Sequence, residues 1–227
     1  VLLKKNMKLM LYVLILHTIV VFYAAFYWSM AVCVFISGIG FFIALGIALF
    51  VPLFYRWIKF SFVEFVPIVD EKGKILGKAA REYVHGGSGA LHPVVHVHLI
   101  NQSNQLFLQK RSLKTKIQPN KWDTSVGGHV KWQESIEDAM AREMYEETHI
   151  KPSNPRLIAQ YVWKSEIESE LVFSFIQRTD LEPRINPKEA QEGRWWTLQQ
   201  IASAPKELFT PNFLHEIPML TSILKEK

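Results

Sequence analysis

The sequence is poor in cysteine, because its 227 residues include a single one, Cys33. One thiol cannot form a disulfide bond within the chain, and zinc sites built from cysteines are excluded as well. Cys33 also lies within an apolar stretch rather than among polar residues. The polar part of the chain, from residue 61 onward, therefore contains no thiol.

Charge is missing from a longer region, since the 47 residues from Leu9 to Tyr55 carry no charged side chain. One membrane-spanning helix needs only about 20 apolar residues, so two helices joined by a turn fit this length better. Residues 28–29 or residues 37–40 could form the turn, and periodicity does not choose between them because membrane helices are apolar all round. The sequence thus predicts a transmembrane helical hairpin in residues 1–60, with residues 9–55 in the lipid bilayer.

Basic residues flank the uncharged run on both sides: Lys4, Lys5 and Lys8 precede it, and Arg56 and Lys59 follow it. Because positive charge is favoured on the cytoplasmic side of a membrane, both ends of the hairpin are expected in the cytoplasm. The following domain, residues 61–227, is then also cytoplasmic. Two alternatives stay open: a signal peptide followed by one span, although no small-residue cleavage site follows, and a chain that starts at Met7.

Acidic side chains are absent from residues 1–60, which explains the formal net charge of +5. Five of the 26 basic residues lie there, so the other 21 balance the 21 acidic residues of the remaining chain. A neutral domain lacks the basic surface that nucleic-acid binding requires, and no nucleic-acid partner is expected.

Strand-like and helix-like patterns are mixed after residue 61, without a βαβ rhythm or a repeat. Strands are predicted at residues 65–69, 94–100, from 106, 156–163 and 171–177, turns at 70–74 and 101–104, and helices at 198–202 and 213–224. Such a mixture is typical of an α+β domain with a mixed sheet.

A further helix is predicted from Ser135 to Thr148, because this segment has no Pro or Gly and begins with a variant capping pattern. Rotation by roughly 100° per residue places its apolar residues on one arc of about 140°. These residues are Ile136, Ala139, Met140 and Met144. Glu143, Glu146 and Glu147 fall inside or at the edge of the same arc.

A solvated acidic face would lie opposite the apolar residues, so these three glutamates need another explanation. Burying like charges together raises the pKa values of the carboxyl groups or unfolds the helix unless cations compensate. Carboxylate oxygens are preferred ligands of Mg²⁺ and Mn²⁺. The helix therefore predicts a divalent metal site, with a structural cluster of ion pairs as the alternative.

The segment from Gly128 to Ile150 resembles the signature box of the Nudix hydrolases. Five residues separate Gly128 from Glu134, and seven more separate Glu134 from the sequence Arg142-Glu143-Met144-Tyr145-Glu146-Glu147. The resemblance implies an α/β/α sandwich in which Glu143, Glu146 and Glu147 are catalytic residues and metal ligands, and Gly128, Glu134 and Arg142 have structural or orienting roles. The box has glycine where His149 stands, so a left-handed helix end there should cost about 1 kcal/mol without loss of chemistry.

Residues 66–196 further resemble the Nudix branch related to isopentenyl-diphosphate isomerase, on the evidence of Leu91-His92, Gln109-Lys110-Arg111 and the run from Trp122 to His129. In that isomerase three histidines and two glutamates hold a metal. The matching residues, which form a possible second metal site, are His85, His92, His129, Glu168 and Glu170. A spacing of two residues puts both of these glutamates on one face of a strand.

Gly127 marks a departure from the isomerase, which has a catalytic cysteine at that position. The glutamate box is also complete here, whereas that of the isomerase is degenerate, so hydrolysis is favoured over isomerisation. Among other polar residues, Lys110 and Arg111 are expected to bind substrate, with a structural ion pair as the alternative. Core packing is the simpler interpretation of four more residues, His96, His98, Trp195 and Trp196.

The sequence therefore predicts a membrane-anchored hydrolase that uses Mg²⁺ or Mn²⁺ to cleave a diphosphate linkage in a nucleoside-diphosphate-X or related small molecule. The alternatives are an isopentenyl-diphosphate isomerase-like enzyme and a non-catalytic Nudix-fold binding module. Because the box acts on the diphosphate, the sequence does not identify the chemical group that is attached to the diphosphate. The sequence does not indicate the oligomeric state either.

Overall fold

The computed structural model of the protein describes residues 8, 10–20, 46–54 and 63–225. The chain divides into two compact units, Val1–Val63 and Glu64–Lys227. In the first unit, residues 10–20 and 46–54 are helical and mostly exposed.

Among the described residues, none of the helices has the length and hydropathy that a membrane crossing requires. The structure therefore does not support the predicted transmembrane hairpin. Residues 21–45, which form the middle of that hairpin, lie outside the described residues.

The second unit is built from short strands and helices. In chain order these are β1 (Phe65–Val69), β2 (Ile75–Ala80), α1 (Arg81–Val84), β3 (Leu91–Ile100), β4 (Leu106–Arg111), β5 (Trp122–Asp123), β6 (Val126–His129), α2 (Ile136–Thr148), β7 (Arg156–Lys164), β8 (Ser169–Arg178), β9 (Ala190–Trp196), α3 (Leu198–Ser203), a 3₁₀ turn (Lys206–Leu208) and α4 (Pro211–Lys225).

The central sheet is mixed. Its strand order is β5-β4-β3-β8-β7, with β6 paired to β3 and β9 paired to β4. β3 and β8 run parallel over ten residue pairs, from Leu91↔Ser169 to Ile100↔Arg178, while the other pairings are antiparallel. β1 and β2 form a separate antiparallel pair. The predicted α+β class with a mixed sheet is confirmed.

Each face of this sheet is covered by a helix. Alternate side chains of β3, Val95, Val97 and Leu99, pack with Ala139, Met140 and Met144 of α2 on one face. On the other face, Ile100, Leu106 and Leu108 pack with Phe213, Leu220 and Leu224 of α4. Because successive residues of a strand point to opposite faces, the buried run of β3 supplies both cores. The arrangement is the expected α/β/α sandwich.

Several strands have no clear sequence signal and were not predicted. The strand β2 has no buried residue, with three of its six residues exposed, and it has no polar-apolar alternation. The strand β9 contains Gly193, where a β-carbon would overlap with Phe107 and Ile185, so this glycine is required by packing. At the end of β9, Trp196 is buried with 4% of its surface exposed, which confirms its predicted place in the core.

Helix α4 is tied to the sheet by a buried ionic contact. Glu216 Oε2 lies 3.1 Å from His96 Nδ1 and 2.9 Å from His98 Nε2, and its side chain is fully buried. Burial by itself lowers the pKa of His96, but the attraction and hydrogen bond of Glu216 outweigh it and raise the pKa to about 9. His96, which was predicted as a core residue, therefore also carries a charge that Glu216 of α4 neutralises.

This contact predicts a pH-dependent stability. The folded pKa of His96, about 9, exceeds its ordinary value of 6.5, so its contribution is fully present below pH 6.5 and is lost as pH rises through 9. We expect the free energy of unfolding to fall by roughly 1–3 kcal/mol over this window. Denaturant titrations of the whole chain between pH 6 and pH 9.5 measure it.

The control is His215→Gln, which changes an exposed neighbour on α4 and should leave the decline intact. Glu216→Gln should remove the decline and cost about 3–5 kcal/mol at pH 6.5, because it breaks a buried charge pair. A wild-type stability that does not vary between pH 6.5 and pH 9 would contradict the assignment.

Candidate active site

Helix α2 begins and ends as its sequence predicts. Ser135 Oγ accepts a hydrogen bond from Asp138 N at 3.1 Å, which satisfies one of the free N–H groups of the first turn. At the other end, His149 has φ 59° and donates its N–H to Tyr145 O. A histidine can therefore take the left-handed position that glycine usually fills. The helix ends at Thr148, with the last glutamates in its final turn.

Glu143 lies against strand β6 beside Gly128. A β-carbon on Gly128 would overlap with the side chain of Glu143, which would then have to shift from its bond with Arg142. Gly128 has no positive φ, so the close approach of Glu143, and not the backbone conformation, favours glycine here. Burial outweighs the contact with Arg142 and raises the pKa of Glu143.

Arg142 connects three parts of the site. Its Nε and Nη2 donate to the two carboxylate oxygens of Glu134 at 2.7 and 2.8 Å, a bidentate pairing. Its Nη1 donates to Glu143 Oε1 at 2.6 Å, and its Nη2 also donates to His129 O at 2.9 Å. Burial alone would raise the pKa of Glu134, but the bonds from Arg142 and from the Lys131 backbone lower it. Through these contacts Glu134 and Arg142 fix the position of Glu143 relative to β6.

Glu147 faces strands β4 and β6. Gln109 Nε2 donates to Glu147 Oε2 at 2.7 Å, and the backbone of Gly127 also bonds to this carboxyl group. Burial, followed by repulsion from Glu143 and Glu189, raises the pKa of Glu147 well above its ordinary value. Two carboxyl groups of the box are therefore held close together in a partly desolvated place.

The third glutamate is more exposed than the sequence analysis expected. Half of the side chain of Glu146 is accessible, at 52%, and its Oε2 lies 3.5 Å from Arg142 Nη1. Of the three predicted inward-facing carboxylates, only Glu143 and Glu147 are packed against the sheet, because Glu146 lies at the edge of the arc.

These carboxyl groups fit a divalent metal ion. Their hard oxygen donors suit Mg²⁺ or Mn²⁺. Burial, and after it repulsion from Glu143, raises the pKa of Glu147, and a bound cation would relieve that repulsion. The donors Glu143, Glu146 and Glu147 are therefore the residues that could hold such an ion.

The structure also brings together the three histidines of the possible second site. His85, His92 and His129 offer ligand atoms that all lie within 4.8 Å of one another. His85 Nε2 is 2.8 Å from His129 Nε2, and the rings of His92 and His129 stack at 5.3 Å. His92 Nδ1 donates to Ala90 O at 3.1 Å, while its buried Nε2 has no hydrogen-bond partner among the described residues. A bond from the other ring nitrogen to a carbonyl is typical of metal-binding histidines.

The electrostatics of His92 and His129 favour neutral imidazoles. Burial lowers the pKa of His92, and it lowers the pKa of His129 well below the ordinary value. Neutral imidazole is the form that binds a metal ion. The group therefore fits a cation better than it fits a set of ion pairs.

The two glutamates expected beside the histidines are placed differently from each other. Glu168 Oε2 is 2.8 Å from His85 Nδ1 and thereby joins the histidine group. Glu170 is the sheet neighbour of His92, and its Oε2 accepts a hydrogen bond from Asn212 on α4 at 3.1 Å. Burial and then repulsion from Glu168 raise the pKa of Glu170 to about 7.

Lys110 and Arg111 are not brought to the glutamates. Lys110 follows Gln109 in β4, so its side chain points to the face opposite Glu147. Arg111 Nη1 binds Asp123 at 3.0 Å, and its Nε donates to Ile117 O. Arg111 thus has the structural ion pair that was the alternative to substrate binding.

The sequence gives no separate signal for two residues near Glu147. Gln109 stands out only as part of the resemblance to the isomerase branch, and Glu189 belongs to no motif. β4 is buried on both faces from Leu106 to Gln109, so its pattern does not indicate which face meets the glutamate helix. Glu189 comes from a loop about 40 residues further along, and only the folded chain shows its proximity.

Gly128 and Gly127 give a matched pair of substitutions. In Gly128→Ala the new methyl group overlaps with Glu143, and we expect a loss of about 1–3 kcal/mol in the free energy of unfolding. In Gly127→Ala the nearest atoms are Thr124 Cγ2 at 3.6 Å and His96 Cδ2 at 3.8 Å, which is ordinary contact, so stability should be unchanged or rise by up to about 1 kcal/mol. Thermal unfolding of both variants measures the difference. Equal stability of the two would contradict the described packing of Glu143.

Known proteins resemble this unit. The chain is 26% identical over 151 residues to isopentenyl-diphosphate Delta-isomerase of Kocuria rhizophila, covering 64% of this chain and 80% of the relative. It is 29% identical over 135 residues to an uncharacterized Nudix hydrolase of Nostoc, covering 59% and 80%.

A crystal structure from Deinococcus radiodurans has a TM-score of 0.58 and 26% identity, covering 68% of this chain and 98% of that one. A MutT protein of Methanosarcina mazei has a TM-score of 0.52 at 22% identity, covering 60% and 96%, which shows a shared fold. The sequence profile of the NUDIX domain matches residues 90–217, more than half of the chain. With the glutamate helix and its glycine arranged as described, this match shows that the chain belongs to the NUDIX family.

Proposed function

We propose that this protein is a metal-dependent hydrolase that cleaves a diphosphate linkage in a nucleoside-diphosphate-X or related small molecule. The observation that carries the proposal is the placement of Glu143 and Glu147 on one side of α2, where Gly128 leaves room for Glu143 and Gln109 bonds to Glu147. A vestigial box in a binding module would have no need to keep these carboxyl groups together. The intact cluster therefore favours an enzyme over a binding module.

The residues of the site have different roles in the proposed hydrolysis. When bound, a divalent cation supplies Lewis acidity, which lowers the pKa of an attacking water molecule and neutralises charge on the diphosphate. Glu143, Glu146 and Glu147 would hold that cation. Arg142 and Glu134 fix the orientation of Glu143, while Gln109 fixes that of Glu147. Glu146, which is exposed, is accessible to substrate and solvent.

Loss of one box carboxylate should abolish most of the activity. We expect Glu147→Gln to reduce turnover of a diphosphate substrate by at least about a hundredfold, and Glu146→Gln to do the same, with little change in folding. A panel of diphosphate compounds with Mg²⁺ or Mn²⁺ supplies the assay. Glu137→Gln, an exposed glutamate on the same helix, is the control and should retain activity. Near-full activity of both box variants would refute the glutamate assignment.

A second candidate function is isomerisation of isopentenyl diphosphate. It is favoured by the named isomerase relatives and by the convergence of His85, His92 and His129 with Glu168. Against it stands Gly127, which has no titratable group at the position of the cysteine in the resembling isomerase. Proton transfer to and from carbon needs an acid and a base on the two sides of the substrate.

The two candidates differ in their products. We expect the whole chain, incubated with isopentenyl diphosphate and Mg²⁺ or Mn²⁺, to form no dimethylallyl diphosphate, because Gly127 supplies no proton. Gas chromatography of the dephosphorylated products detects the isomer. Isomer formation at an enzymatic rate would reverse the choice between the two functions.

For localisation, we propose that residues 1–60 anchor the protein to a membrane with residues 61–227 in the cytoplasm. The support is the uncharged run of 47 residues with basic residues on both sides. The expected result is that the chain stays in the membrane fraction after carbonate extraction and that its second unit is protected from protease added outside the cell. Release into the carbonate supernatant would reject the anchor.

A further inference from the structure

Gln109 makes an unusual pair of contacts beside the glutamate helix. Its side-chain nitrogen donates to Glu147 Oε2 at 2.7 Å and to Ser125 O at 2.6 Å. The residue is buried, with 4% of its surface exposed. Ser125 is itself fixed, because its Oγ donates to Phe107 O at 2.5 Å and accepts from Leu99 N at 2.8 Å. The amide group of Gln109 in β4 therefore links Glu147 to Ser125, which lies just before β6. Ser125 is in turn bonded to β3 and β4.

The orientation of this amide is determined by its partners. Ser125 O is a carbonyl oxygen and can only accept, so the nitrogen of Gln109 has to face it. The same nitrogen then supplies its second N–H to the carboxylate of Glu147. In a flipped amide, Gln109 Oε1 would face the carbonyl oxygen of Ser125, and neither oxygen can donate. The acceptor at Ser125 therefore determines which amide atom is nitrogen and which is oxygen.

The environment of the amide oxygen of Gln109 indicates that this residue has a role other than stabilising the fold. Gln109 Oε1 is buried and has no hydrogen-bond partner among the described residues. An unsatisfied buried acceptor costs roughly 1–3 kcal/mol, so an apolar side chain of similar length would serve packing at least as well. The contact with Glu147 gives a reason for glutamine at this position.

We propose that Gln109 is a positioning residue, which holds the Glu147 carboxylate in one orientation so that it is presented to a divalent cation. The inference rests on the proposed metal-dependent function and adds to it a residue outside the glutamate box. A partner that orients a metal ligand typically changes metal affinity by tenfold to about a hundredfold when it is removed.

Gln177 offers a matched control for the packing effect of a buried glutamine. It lies in β8 with 2% of its surface exposed, its Oε1 accepts from Ser153 N at 2.8 Å, and its Nε2 faces Lys151 O. Its side-chain hydrogen bonds among the described residues go to the Ser153 and Lys151 backbone and not to Glu147. Gln177→Met therefore reproduces the loss of a buried, hydrogen-bonded glutamine without touching the glutamate site.

The experiment measures Mn²⁺ binding to the whole chain without substrate, by electron paramagnetic resonance of free Mn²⁺. The Glu147-dependent site is defined as the Mn²⁺ binding that the wild type shows and the Glu147→Gln variant lacks. We expect Gln109→Met to weaken binding at that site by tenfold to about a hundredfold, and Gln177→Met to leave it unchanged. Gln109→Asn, which keeps an amide but is too short to reach Glu147, should show the same weakening and replaces Gln109→Met if that variant does not fold.

A double-mutant cycle tests whether Gln109 acts through Glu147. If it does, Gln109→Met combined with Glu147→Gln binds Mn²⁺ no more weakly than Glu147→Gln alone. Wild-type affinity in both Gln109 variants, or additive losses in the cycle, would overturn the proposal. Normal Mn²⁺ binding without hydrolysis of any diphosphate would instead reject the proposed hydrolase while leaving the role of Gln109 intact. A wild type without Glu147-dependent binding would reject both.

Discussion

The guanidinium group of Arg142 holds the glutamate helix, the segment before it and strand β6 at one point. It binds both oxygens of Glu134, one oxygen of Glu143 and the carbonyl of His129. Without the guanidinium group of Arg142, Glu143 would be a partly buried carboxylate with a raised pKa and no compensating charge. Breaking a buried charge pair of this kind costs about 3–5 kcal/mol in the free energy of unfolding. The placement of the helix on the sheet therefore depends on charge pairing as much as on the apolar contacts of Met140 and Met144.

Strand β6 contacts the glutamate ligands and contributes one residue to the histidine group. The backbone of Gly127 bonds to Glu147, Gly128 leaves room for Glu143, and the imidazole of His129 belongs to the histidine group. The carbonyl of the same His129 accepts from Arg142. Three consecutive residues thus contact or belong to both ligand groups, and at Gly128 the small side chain is explained by the close approach of Glu143.

The helix and its glutamates could be predicted because their signals are local. Ser135 caps the helix and the spacing of Glu143 and Glu147 fixes their side of it, whereas Glu146, at the edge of the arc, was predicted to face inward and is half exposed. Gln109, Glu189 and Glu216 could not be predicted, since each acts across a long stretch of sequence and nothing near it indicates its partner. A structural ion pair was an alternative for Arg111, but its partner Asp123, on the neighbouring strand β5, could not be named from the sequence.

Hydrolysis in ¹⁸O-labelled water tests the central claim most directly, because it reports where water attacks. The whole chain is incubated with the diphosphate panel and Mg²⁺, and the products are analysed by mass spectrometry. The account predicts one ¹⁸O atom in a phosphate group of one product, formed by the wild type and not by Glu147→Gln. Products without label on phosphorus, or an isomerised diphosphate with both phosphates intact, would contradict it.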